Sequence, residues 1–103
     1  MSEGFVAYQG DHDIHDGQVA SVEHTGDVVR VVIDAANGRR LLIEFSEVSS
    51  VKQESAEGMT LYALSEFVAP APLRRFVFAN WDEAAGAKLE VLARGFHCRE
   101  MPE

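Results

Sequence analysis

"DVVRVVIDAANGRRLLIEFSEV", residues 27–48, is the stretch whose reading decides the fold. Its first arm is dense in β-branched side chains, and Val29, Val31 and Ile33 fall on one face of a period-two pattern. The second arm alternates too, with Leu41, Ile43 and Phe45 set against Leu42, Glu44 and Ser46. Between them, Asn37–Gly38 is a hairpin signal, because both residues tolerate positive φ. The stretch predicts a β-hairpin over 27–47.

Working outward, "QVASVEHT" (18–25) alternates well enough to precede the hairpin as a strand, turning at Gly26–Asp27. Together the segments make a three-stranded antiparallel meander. Residues 48–58 are polar after Val51 and read as a short edge strand running into a loop. "MTLYALSEFVA" (59–69) fits helical spacing imperfectly. Read as a strand it places Leu61, Ala63, Ser65 and Phe67 on one side and Tyr62, Leu64, Glu66 and Val68 on the other. The strand reading is preferred, since Pro70 and Pro72 then sit in a connection to the clear strand "LRRFVFANW" (73–81). In "KLEVLARGFHCRE" (88–100), Leu89, Val91 and Ala93 alternate, and Gly95 suggests a bulge that shifts the phase for Phe96 and Cys98. A helix from Asp82 to Ala93 competes, because Asp82 is a good cap. The sum is a mainly β, single-domain chain, a small antiparallel barrel or sandwich of six to seven strands with room for one short helix. Val29, Val31, Ile33, Leu41, Ile43, Phe45, Phe76 and Phe78 are its expected core.

Composition narrows the function. One domain suits 103 residues. The single Cys98 forms no internal disulfide, the first twenty or so residues lack a secretory pattern, and no apolar run is long enough for a membrane span. A cytoplasmic location is expected. A net charge of −8 argues against nucleic acid, whose affinity rests on Lys and Arg displacing counterions. The charge is also unevenly placed. Before Arg30 there is no Lys or Arg, whereas Glu3, Asp11, Asp13, Asp16, Glu23 and Asp27 all precede it. Such separation is common on solvated faces; its sharper reading is an acidic patch that recruits a basic partner.

"IHDGQV" (14–19), then "VVRVVID", then "RRLLIEFSEV" resemble a loose group of small bacterial domains of unknown function. In these a His-Asp pair opens a strand and a hairpin ends in an aliphatic-Phe-x-x-Val pattern. The resemblance covers about half the chain. It places the pair on His15–Asp16 and the closing motif on Phe45–Val48. It implies an immunity or accessory protein that binds a partner, and it carries no catalytic residues.

"GDHDIHDG" (10–17) is the most chemical-looking segment. His12, His15 and Asp16 would be the ligands of a metal site, and imidazole with carboxylate suits zinc or iron. On a strand, residues three apart face opposite sides, so only an irregular loop joins the two histidines. A calcium loop is excluded, since its sixth position is Asp16 and its twelfth is Val22. His15–Asp16 is also similar to the pair that names a class of metal-dependent phosphohydrolases, but those are all-helical. The plainer account makes 10–17 a polar turn, with His15 hydrogen-bonding a neighbouring group. His97 and Cys98 face opposite sides of a strand, so one does not activate the other. Trp81 at a strand end suits an interface anchor. No phosphate-cradling, dinucleotide or nucleophile-elbow motif is present, so no cofactor is expected. The leading expectation is a non-catalytic interaction module using His15, Asp16 and Trp81, for a protein partner or for self-association as a homodimer. The alternative is a small metal-dependent enzyme centred on residues 11–16.

Overall fold

A computed structural model describes residues 5–9, 14–36, 38–80 and 87–101, with the side chains at 5, 9 and 80 excepted. The described residues form β1 (Phe5–Gln9), β2 (Gln18–Thr25), β3 (Val28–Asp34), β4 (Arg40–Glu54), β5 (Leu61–Phe67), β6 (Arg74–Asn80) and β7 (Lys88–Glu100). They join in one antiparallel sheet of 7 strands in the order β1-β5-β6-β7-β4-β3-β2. Two meanders, β2–β4 and β5–β7, are thus fused along the β4–β7 pairing, and β1 is added at the far side of β5. The stretches at 61–67 and 88–93 that also fitted helices are strands. Among the described residues no helix is long and apolar enough to cross a membrane.

The hairpin holds, with Val31 opposite Ile43 and Ile33 opposite Leu41. Its turn is one residue longer than an Asn-Gly turn: Ala35 N–H donates to Arg39 O at 2.8 Å, and Gly38 takes φ 89°. All eight expected core side chains are buried, joined by Ile14, Val19, Leu61, Leu64, Leu89 and Val91. Phe45 is the hub, with ring centroids 5.1 Å from Phe76 and 5.9 Å from Phe78.

Residues 48–54 are a continuation of β4 rather than a separate edge strand, with Val51 opposite Val91 and Glu54 opposite Lys88. Because β3 pairs with β4 only up to Phe45, this continuation has β7 on one side and, among the described residues, no strand on the other. The inward set on β7 moves from Leu89, Val91 and Ala93 to Phe96 and Cys98 across Gly95. Strand β4 makes the same change, from Leu41, Ile43 and Phe45 to Val48, across Glu47 at φ 50°. Each strand carries one extra residue at the same level, so Ser46 still faces Gly95 and Val48 still faces Ala93. Arg94 and Glu47 meet there at 3.5 Å.

The sheet is not closed into a barrel. It curls until the start of β2 meets the start of β5. There Asp16 N–H donates to Leu61 O at 2.9 Å, Leu61 N–H to Gly17 O at 2.7 Å and Val19 N–H to Met59 O at 2.9 Å. Ala56 and Met59, in the β4–β5 connection, are buried beneath this seam. Gly17 is required by space: a Cβ there would lie 2.8 Å from Ile33 Cγ2 and 3.1 Å from Ile14 O.

Candidate functional site

The His15–Asp16 pair sits on the seam. Ile14 buries its side chain, Gly17 N–H donates back to Ile14 O at 2.9 Å, and Asp16 adopts φ 67°, a conformation that Asp tolerates better than most residues. This tight turn brings the His15 and Asp16 side chains towards one another. The imidazole Nε2 lies 3.7 Å from Asp16 Oδ2, and both side chains are half exposed. His15 Nδ1–H donates to Tyr62 O at 2.9 Å. In the neutral ring this bond places the proton on Nδ1 and leaves Nε2 facing the carboxylate. The described part of 10–17 is therefore a polar turn with a hydrogen-bonded histidine. Asp11, His12, Asp13 and Trp81 lie outside the described residues, so the metal set His12, His15, Asp16 is represented here by its last two members. Among the described residues no group of three or more His, Cys, Asp or Glu is arranged around a common point.

His15 leads to residues that the sequence reading did not single out. Its ring makes an edge contact with Tyr62, centroids 5.4 Å apart, and Tyr62 makes another with Tyr8 at 6.5 Å. Strand β5 changes register between Leu61 and Ala63. In consequence Leu61 points inward, Tyr62 points to solvent, and Leu64 and Glu66 return to the core side. The exposed large apolar side chains among the described residues are Val6 (51%), Tyr8 (61%), Tyr62 (42%) and Val68 (66%). All lie on β1, β5 or the residue just beyond β5. Pairing of Phe5 with Phe67 and of Gln9 with Leu64 sets Val68 towards the Phe5 end and Tyr62 towards the Gln9 end. Comparison with family models, curated proteins and solved structures finds no match.

The inner side of the same limb is anchored by an ion pair. Glu66 is 7% exposed and accepts from Arg74 twice, at 2.7 and 2.9 Å. The guanidinium also lies 5.1 Å from the Phe76 ring centre and 5.4 Å from that of Phe96. The hydrogen bonds that Arg74 donates to Glu66 raise the Arg74 pKa, against the opposing effect of burial. Two donors aimed at one carboxylate satisfy Glu66 internally, which makes it a structural clamp. Cys98 packs against the core while His97, its neighbour, is exposed opposite Glu44, as strand alternation requires.

Proposed function

We propose that this protein is a non-catalytic interaction module that engages a protein partner through the β1–β5 limb. The observation that carries this reading is the gathering of Val6, Tyr8, Tyr62 and Val68 at one end of the sheet order. Contiguous exposed apolar side chains on a small domain mark an interaction surface more often than chance decoration, and tyrosine contributes contact area at low entropy cost. The immunity or accessory class suggested by the resemblance is a role of this kind. His15 and Asp16 then border the surface as polar rim, and Tyr62 joins them to it.

Site-directed photo-crosslinking tests the reading. A benzoyl-phenylalanine at Tyr8, in extracts of the protein's host, should yield a discrete crosslink that excess unlabelled protein abolishes. The same probe at Val32, on the opposite limb, should yield none. Equal labelling from both positions, or none from Tyr8, would overturn it.

A further inference from the structure

Resting on that reading, we infer that the β1–β5 surface takes a basic, aliphatic-bearing extended segment of a protein partner, with an arginine or lysine against Tyr8, Tyr62 and Asp16. The chemistry is local. Tyr8 and Tyr62 present aromatic rings to solvent within contact of one another. Asp16 holds a half-exposed carboxylate 3.7 Å from the imidazole of His15, and that ring touches Tyr62. A guanidinium gains from an aromatic face and from a carboxylate together, and either attraction alone is weaker. Val6 and Val68 offer apolar footing further along the same strand pair.

The charge distribution favours the same partner. Arg30, Arg39, Arg40, Arg74, Arg75, Lys88 and Arg94 are each within ion-pair distance of a carboxylate of their own chain. The sequence around β1 has no Lys or Arg before Arg30, while Glu3, Asp11, Asp13 and Asp16 flank the uncharged strand "FVAYQ" in the chain. A second copy is a poor occupant. The net charge of −8 repels a copy at longer range.

The test titrates the full chain with short synthetic peptides of alternating Arg–Val, Ser–Val or Glu–Val sequence, followed by fluorescence anisotropy. The Arg–Val peptide should bind most tightly, and Tyr8→Ser, which changes no charge, should weaken it by about tenfold. Asp16→Asn should weaken it by roughly threefold, and Asp27→Asn, the same charge change at the far β2–β3 turn, should leave it unaltered. Circular dichroism on each variant checks the fold. Equal loss from Asp16→Asn and Asp27→Asn would reduce the effect to net charge and overturn the inference. So would tighter binding of the Glu–Val or Ser–Val peptide, or a dimer in sedimentation that Tyr8→Ser dissolves. Any of these results alongside a Tyr8-specific crosslink would discard the basic partner while leaving the interaction surface standing. Failure of both the peptides and the crosslink would discard both.

Discussion

The outer surfaces of the two meanders differ in how they meet water. On β2–β3–β4 the register sets Glu23, Arg30 and Glu44 side by side, and Arg30 bonds Glu44 at 2.7 Å with Glu23 at 4.0 Å. Asp34 and Arg40 pair at 2.9 Å on the same limb. On β5–β6–β7 the outer row contains Ala63, Phe67, Val77 and Leu92, crossed by Arg75, which bonds Glu90 at 2.8 Å and lies 5.6 Å from the Phe67 ring centre. The edges differ too. Strand β2 has its Val22 N–H satisfied by the Glu57 carboxylate at 3.1 Å and carries polar residues; β1 carries an uncharged sequence. Charged edges discourage pairing with other chains, and uncharged ones invite it. One limb meets water mainly through paired charges, the other through a more apolar outer row.

The largest test asks whether the limbs share one stability. Phe45 belongs to β4 but packs on Phe76, Phe78 and Phe96 of the other meander. Phe45→Ala should cost about 3–5 kcal/mol in urea unfolding, with a single transition for both limbs. Two separate transitions would show that the meanders fold independently. Ile43→Ala, between Val31 of β3 and Cys98 of β7, should cost ~2–5 kcal/mol.

Next comes the clamp. Arg74→Ala removes the two hydrogen bonds that Arg74 donates to the buried Glu66 carboxylate, and should cost about 1–3 kcal/mol. Arg30→Ala removes a surface pair on the other limb and should cost less than about 1 kcal/mol. Equal costs would erase the contrast between an internal and a solvated ion pair. Gly17→Ala should also cost about 1–3 kcal/mol, by forcing Ile33 away from the seam. A neutral result in denaturant unfolding would mean that the seam yields freely.

The smallest effects concern the surface residues. Tyr8→Ser should change stability by no more than about 0.5 kcal/mol, since its role is assigned to binding. His15→Ala loses one hydrogen bond and should cost ~1 kcal/mol. Elemental analysis of untagged protein should find no stoichiometric metal that His12→Ala and His15→Ala remove. Stoichiometric zinc or iron lost on those substitutions would instead support the enzyme alternative. Duplex DNA should bind negligibly at physiological salt; micromolar, salt-sensitive anisotropy would contradict the reading of the −8 charge.

How much was legible follows from how local each cause is. The 27–47 hairpin was legible because Val29, Val31 and Ile33 alternate with less buried neighbours and face an equally regular partner. Strand β1 was not, because "FVAYQ" is apolar on both sides and its partner β5 lies far along the chain. Tyr62 was assigned with Leu64 and Glu66 because simple alternation ignores the register change that turns it outward. The approach of His15 to Asp16 was not legible either, because it depends on the seam with Leu61, which holds Asp16 in a turn. Backbone bonds between segments so distant leave no residue pattern to read.

The matched extra residues at Glu47 and at Arg94–Gly95 constrain how this chain can change in length. Deleting one residue from β4 alone would throw the following side chains, Val48 and Val51, onto the wrong face of the sheet. Deleting one from β7 alone would do the same to Phe96 and Cys98, if the register upstream is kept. Losing one from each would keep Phe45 opposite Phe96 and leave only the separate β4 irregularity between Val48 and Ser50. At this level the two strands form a compensatory pair: a one-residue deletion in either alone should be harmful, and the same deletion in both should be tolerated.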